Sequence, residues 1–256
     1  MLPVQRQRET IDLLSAQGAV SVEDLAERLG VSLSTVRRDL DDLERQGIVR
    51  RIHGGAILTD PSAPPDEPEA PIRLREVERS REKQQIARRA VELVEPGSVL
   101  LLTGGTTTAA LAPMLVEVPG IQVVTNSLDV AIRLAQVDVD LVVLGGSLRR
   151  PELSLLGHLV GLGLDDLHID HVIMGAYGID QRSGVLGASA PECEVDRRLA
   201  AAADRLTILV DSTKFTRRSP HRIVGLEAIS ELVTSREAPI EELDGLQERG
   251  LHVLVV

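Results

Sequence analysis

Two groups of residues in this 256-residue chain could do chemistry, and they suit different partners. The first lies in "VSLSTVRRDLDDLERQG", residues 31–47, where Ser32, Ser34, Thr35, Arg37 and Arg38 crowd the front of a helical pattern. Short hydroxyls beside guanidinium groups suit a polyanion. The planar fork of Arg bonds guanine O6 and N7 together, or clasps a phosphate. The second group is a set of small polar loops, "GGTTT" (104–108), "TNS" (125–127), "GGS" (145–147), "GAYG" (175–178) and "DSTKF" (211–215), each directly after an apolar run. Bare amides at Gly104 and Gly105, the hydroxyls of Thr106, Thr107 and Thr108, and the positive end of a helix that opens there would face an anion, with phosphate the natural guest. Asn126 adds an amide, Lys214 a cation, and Asp211 or Glu192 acceptors for sugar hydroxyls. Neither a phosphate-loop "GK[ST]" nor a "GxGxxG" is present, so nucleotide hydrolysis and dinucleotide binding find no support.

The elements that must hold these groups are legible from periodicity. Val4, Ile11 and Leu14 suit one face of a helix ended by Gly18. Ser21 with Asp24 is a capping-box-like start, followed by Val22, Leu25, Ala26 and Leu29 on one face and a stop at Gly30. Ser32 caps the next helix, whose Val36, Leu40 and Leu43 recur at i, i+4 and i+7. Facing those three inward turns Ser34, Arg38 and Arg45 outward, with Thr35 and Arg37 on the flanks. Asp41 and Asp42 fall a turn further along. After Gly47, "IVRRIHGGAIL" predicts a hairpin turning at Gly54-Gly55, a wing with Arg50, Arg51 and His53 placed to touch phosphates. The whole reads as a winged helix-turn-helix.

From residue 73 a charged stretch of one or two helices ends before Pro96-Gly97. Then "SVLLLT", "IQVVTNS", "DLVVLGG", "HVIMGA", "LTILVD" and "LHVLVV" alternate with helical intervals such as "TTAALAPML", "SLDVAIRLAQ" and "CEVDRRLAAAADR". Strands this apolar are covered on both faces, so an α/β domain with a mostly parallel sheet and helices on both faces is expected. In such a sheet the polar loops share one edge, where ligands bind.

The net charge is −11 with pI near 5.1, an unusual balance for a DNA reader. Prolines cluster in "TDPSAPPDEPEAP", residues 59–71, which is read as a linker. Residues 1–58 then carry a net charge of −1 and the remainder −10, so the acid belongs to the larger part. The expected division is 1–58 DNA-binding domain, 59–72 linker and 73–256 ligand-sensing domain. With no Trp, one Tyr and one Phe, recognition by base stacking is disfavoured. A single Cys193 excludes an internal disulfide and a cysteine zinc site; between Glu192 and Glu194 it reads as a packed thiol. His158, His168, His171, His221 and His252 show no ligand spacing, so no metal and no cofactor are expected. With no signal-peptide pattern and no membrane-length apolar run, a cytoplasmic protein is expected.

"VSLSTVRRDLDDLERQGIVRRIHGGA" resembles the N-terminal signature of the DeoR family of bacterial transcriptional regulators, at Ser32, Thr35, Arg37, Arg38, Asp39, Leu40 and the "HGG" of 53–55. The loops of the larger part are similar in order to that family's C-terminal sensor domain, which resembles sugar-phosphate isomerases in fold. That resemblance implies a phosphorylated sugar or related metabolite as ligand. The matching positions are 104–108, Thr125-Asn126, Gly145-Gly146, the Gly175–Gly178 loop, Glu192, Glu194, Asp211 and Lys214. One position departs: Thr103 stands where the family usually has an acid, and it would bond ligand hydroxyls more weakly and without charge.

The expected function is a repressor-type regulator of sugar or related genes. It would bind a double-stranded operator as a homo-oligomer, at least a dimer, under the control of a phosphorylated metabolite. Two other classes stay open at this stage. One is an isomerase-like enzyme using Glu192, Glu194 or Asp211 as general base with an accessory DNA-binding module; the other is a ligand-free architectural DNA binder.

Overall fold

Sequence-local signals build the first three helices and the wing as expected, and an unforeseen short strand lies between the first two helices. A computed structural model describes residues 3–17, 19–45, 48–52, 54–58 and 72–256. Helix α1 runs Pro3–Gln17, strand β1 Ala19–Ser21, helix α2 Val22–Leu29 and helix α3 Leu33–Arg45. Ser21 caps α2 by accepting the Asp24 amide at 2.9 Å, and Gly30 ends it at φ 63, the left-handed value glycine takes without strain. Strands β2 (Val49–Ile52) and β3 (Gly55–Leu58) form the wing, and β1 joins it in the order β1-β3-β2. Leu14, Val22, Leu25, Val36, Leu40, Leu43, Val49 and Ala56 make one core beneath the helices. Each buried Leu there contributes about 1.5–3 kcal/mol. Gly18, Gly47, His53 and residues 59–71 of the expected linker 59–72 lie outside the described residues, as do the side chains of Val4, Arg45 and Arg50, while Ile72 opens a helix.

Helix α4 spans Ile72–Val77 and lies against β1. The chain divides into two units, Met1–Glu78 and Arg79–Val256. The charged stretch after residue 73 is thus two helices, α4 and α5 (Ser80–Val91), parted at Arg79 with φ 55.

In the second unit the six apolar runs become β4 (Val99–Leu102), β5 (Gln122–Thr125), β6 (Asp140–Val143), β9 (His171–Gly175), β12 (Arg205–Leu209) and β15 (Val253–Val255), and a strand outside those runs, β14 (Glu231–Thr234), joins them. Among the described residues they form one seven-stranded sheet, ordered β15-β14-β12-β9-β4-β5-β6, and every pairing is parallel. Alternation explains the unbroken apolar runs. Leu100 and Leu102 enter one core with α5, α6 (Thr106–Leu111) and α7 (Leu128–Leu134), while Leu101 enters the other with α8 (His158–Asp165), α9 (Ala190–Ala200) and α10 (Ile240–Glu248). The expected helix "TTAALAPML" stops at Leu111, and Ala112–Glu117 continues as a 3-10 turn. Pro113 accounts for the change, since it supplies no amide to the ladder.

Two hairpins were not anticipated. Strands β7 (Ser147–Arg149) and β8 (Ser154–Leu156) fold back after β6. Strands β10 (Gly178–Asp180) and β11 (Gly184–Leu186) pair after β9, and β13 (Arg222–Val224) joins β11.

Candidate functional site

The front of α3 is set by its cap and by an ion pair behind it. Ser32 Oγ accepts the Thr35 amide at 3.3 Å and shares hydrogen bonds with the hydroxyls of Ser34 at 2.9 Å and Thr35 at 2.8 Å. Ser34, Arg37 and Arg38 are exposed and Thr35 is half-buried, as the phase of Val36, Leu40 and Leu43 requires. Asp39, on the protein side, accepts both Arg6 Nε at 2.7 Å and Arg6 Nη2 at 3.0 Å from α1. That bond, followed by burial against it and the charge of Asp39, leaves the Arg6 guanidinium above its ordinary range. The bidentate fork fixes the rotation of α3 and so the aim of Arg37 and Arg38.

The wing differs from expectation in one respect. Arg51, expected to touch phosphate, pairs with Asp41, and its backbone amide donates to Glu44 Oε1 at 2.8 Å. A phosphate there must compete with Asp41. Arg51 therefore ties the wing to α3 as well as offering charge.

In the second unit the loops meet on the carboxyl edge because their strands are neighbours, in the order β12-β9-β4-β5-β6. A Cβ placed on Gly104 would lie 3.5 Å from Ser127 and 3.8 Å from Ser154, and one on Gly175 would lie 3.5 Å from the Gly104 carbonyl oxygen. Gly105 has φ 132 where α6 begins, a backbone that few residues other than glycine adopt. Thr103, Thr106, Thr107 and Thr108 are buried, the Thr103 hydroxyl donating to Gly104 O at 3.4 Å and that of Thr108 to Gly105 O at 2.9 Å.

The predicted residues differ in what they can offer a ligand. Thr125 gives its hydroxyl hydrogen to Leu102 O at 2.6 Å and accepts the Ser127 amide at 3.1 Å, so it positions the loop instead of reaching a guest. Gly145 is exposed, whereas Gly146 sits so near β8 that a Cβ would come 2.6 Å from Leu156 O. Asn126 Nδ2 donates to Leu155 O at 3.2 Å, which orients the amide and leaves its carbonyl oxygen buried without a hydrogen-bond partner. The unpartnered end is an acceptor, which asks for a hydroxyl donor and not a phosphate. Ser154 Oγ, next to Gly104, is likewise buried without a hydrogen-bond partner.

Charge gathers at the β12 end. Burial alone would push the Asp211 carboxyl up, but Lys214, the Thr213 hydroxyl, Lys83 and the Thr213 amide outweigh it and hold Asp211 below the usual carboxylate range. Lys214 is buried, and Lys83 Nζ lies 3.9 Å from Asp211 Oδ2. Glu192 faces Arg149 of the β7–β8 hairpin at 3.5 Å, and Arg149 is 3.9 Å from Glu152; Glu194 is exposed on α9. Cys193 is fully buried, and burial first, then Asp196, pushes its thiol up to about 11. It is inert packing.

Lys83, Arg149 and Ser154 escaped the sequence reading. Lys83 had a signal: it stands three before Ile86 and four before Ala87, so the apolar face of α5 carries a buried cation. Arg149 and Ser154 had none, because the hairpin carrying them closes back on Asn126 and Ser127 through long-range bonds such as Leu155 N to Asn126 O at 2.7 Å.

A winged helix with an exposed arginine front, joined to a parallel α/β unit with a polar carboxyl edge, defines a DNA-binding regulator with a ligand-sensing domain. Residues 6–62 match the DeoR-like helix-turn-helix domain and residues 78–236 the DeoR C terminal sensor domain. The chain is 34% identical to the putative aga operon transcriptional repressor of Escherichia coli O157:H7, across 98% of this chain and 93% of that one. It is 30% identical to the glycerol-3-phosphate regulon repressor of Escherichia coli (strain K12), across 99% of each. A ribose 5-phosphate isomerase A from Methanocaldococcus jannaschii is similar at TM-score 0.40 and 20% identity, over 52% of this chain and 53% of that one. The chain belongs to the DeoR family. It is a transcriptional regulator and not an isomerase.

Proposed function

We propose that the chain represses genes of sugar or related metabolism by holding a double-stranded operator through α3 and the wing, and that a phosphorylated metabolite at the carboxyl edge sets its affinity. The observation that carries the reading is the exposed trio Ser34, Arg37 and Arg38, aimed by the Arg6–Asp39 fork. The names of the two relatives, for an aga operon and a glycerol-3-phosphate regulon, support the metabolic class. For the effector, buried Lys214 and the loop 104–108 supply the anion side, while the carbonyl of Asn126 and the hydroxyl of Ser154 await partners of hydroxyl type. A hydroxylated phosphate satisfies both. Such a ligand acts only if it binds two arrangements of the protein unequally. One winged helix makes few base contacts, so a homodimer or larger assembly spacing two copies of α3 about 34 Å apart completes the reading. The cytoplasm is where it would meet its operator. Among the described residues no helix is long and apolar enough to cross a membrane.

Selection of duplexes from random DNA tests this. The wild-type protein is expected to enrich a two-fold-related sequence with half-sites about one helical turn apart. Arg38→Ala is expected to lose about 1–3 kcal/mol of binding to it, with an unchanged melting curve. Equal affinity of that variant would refute the assigned reading face.

A further inference from the structure

The first turn of α5 connects the effector edge to the boundary between the units. Helix α4, in the first unit, ends at Val77 and α5 begins at Ser80, so Glu78 and Arg79 alone separate them. Arg79 holds φ 55 and ψ 32, a left-handed backbone that residues with a side chain rarely adopt. Its guanidinium lies 3.3 Å from Glu82 Oε1. Glu82 is 5% exposed, and its other oxygen accepts the Ser212 amide at 3.1 Å and the Ser235 hydroxyl at 2.8 Å. The next residue, Lys83, is 4% exposed and faces Asp211 at 3.9 Å. The loop running from Asp211 to Lys214 is therefore held to α5 by a buried carboxylate and a buried ammonium.

Buried charges of this kind tolerate few arrangements, because a displaced partner leaves the other uncompensated. A loop that shifts around a ligand must carry Glu82 with it or break two hydrogen bonds. Arg79 is the position where such a displacement meets strained backbone.

We propose that Glu82, together with Arg79, is the positioning link through which the carboxyl edge and the operator-binding unit affect each other. This rests on the reading of the chain as an effector-controlled repressor. The path runs from the Asp211–Lys214 loop through Ser212 and Glu82 to the Arg79 turn, and from there along two residues of chain to α4. Linkage makes it reciprocal: whatever ligand does to operator affinity, operator does to the ligand loop.

That reciprocity permits a test without knowing the metabolite. Hydrogen exchange is measured on the full chain with and without the duplex selected as above, for wild type, Glu82→Gln and Arg79→Gly. Glycine accepts the left-handed backbone, so the second variant keeps the test decisive if the first fails to fold. In wild type the duplex is expected to change exchange across residues 210–215 by about twofold or more. Both variants should hold the duplex within about threefold of wild type and lose that response. A full response in Arg79→Gly, or a wild-type protein that binds the duplex with no response at 210–215, overturns the inference. A wild-type protein that selects no duplex refutes the regulatory reading itself.

Discussion

Single residues decide how firmly the wing is held. Gly55 is one of them: a Cβ there would sit 2.4 Å from the Val20 carbonyl oxygen, across the register that pairs Ser21 with Gly55. Gly55→Ala must push β3 away from β1, with an expected cost of about 1–3 kcal/mol, visible as a lower melting temperature of the first unit. An unchanged melting temperature would mean that the wing has slack the distances deny. The exposure of Arg37 and Arg38 was legible beforehand, since three apolar residues at i, i+4 and i+7 fix which way the rest of a helix faces. The partner of Asp39 was not. Periodicity places Asp39 beside the buried Leu40, but only the tertiary fold names Arg6, 33 positions earlier. Asn126 teaches a related lesson: its type promised an amide, and the Leu155 carbonyl decides that the acceptor end is what it offers.

At the scale of elements, the sheet separates the candidate ligand edge from a structural one. On the amino edge His171, at the start of β9, meets the Thr207 hydroxyl of β12 at 2.8 Å, and Thr207 donates to Glu231 of β14 at 2.8 Å. Burial first, then Arg205, lowers the His171 pKa to about 4, against an opposing pull from Glu231. The unfolded chain takes up this proton near pH 6.5 and the folded protein only near 4. Between those values the unfolded state holds more protons, so stability falls as pH drops through 6.5 and levels off below about 4. The loss amounts to up to about 3 kcal/mol, and His171→Gln should escape it. Melting temperatures of the two proteins followed from pH 7 to 4 test this; equal losses would remove His171 as the cause. Continuous runs such as "VLLL" announced the buried strands, and the caps at Ser21 and Gly30 announced helix ends. The β7–β8 hairpin was hidden because its turn carries no Gly, Asn-Gly or Asp-Gly, and Leu153 takes φ 53 instead.

For the molecule as a whole, acidity and DNA recognition are compatible because charge is segregated. Residues 1–58 are nearly neutral with exposed arginines at the front of α3, and the rest carries the acid, a balance that disfavours unspecific adhesion to a polyanion. Operator binding should accordingly weaken steeply with salt, by a log–log slope of about −0.9 for each phosphate neutralised. In the proposed function one chain reads DNA with one unit and a phosphorylated metabolite with the other. The decisive measurement is the dissociation constant for the selected duplex, titrated at fixed salt with phosphorylated sugars and their unphosphorylated parents. At least one phosphorylated compound should move that constant by about 5–150-fold while its parent leaves it unmoved. A constant that no phosphorylated compound moves, or that the parent moves as far, would rule out a phosphorylated metabolite as effector.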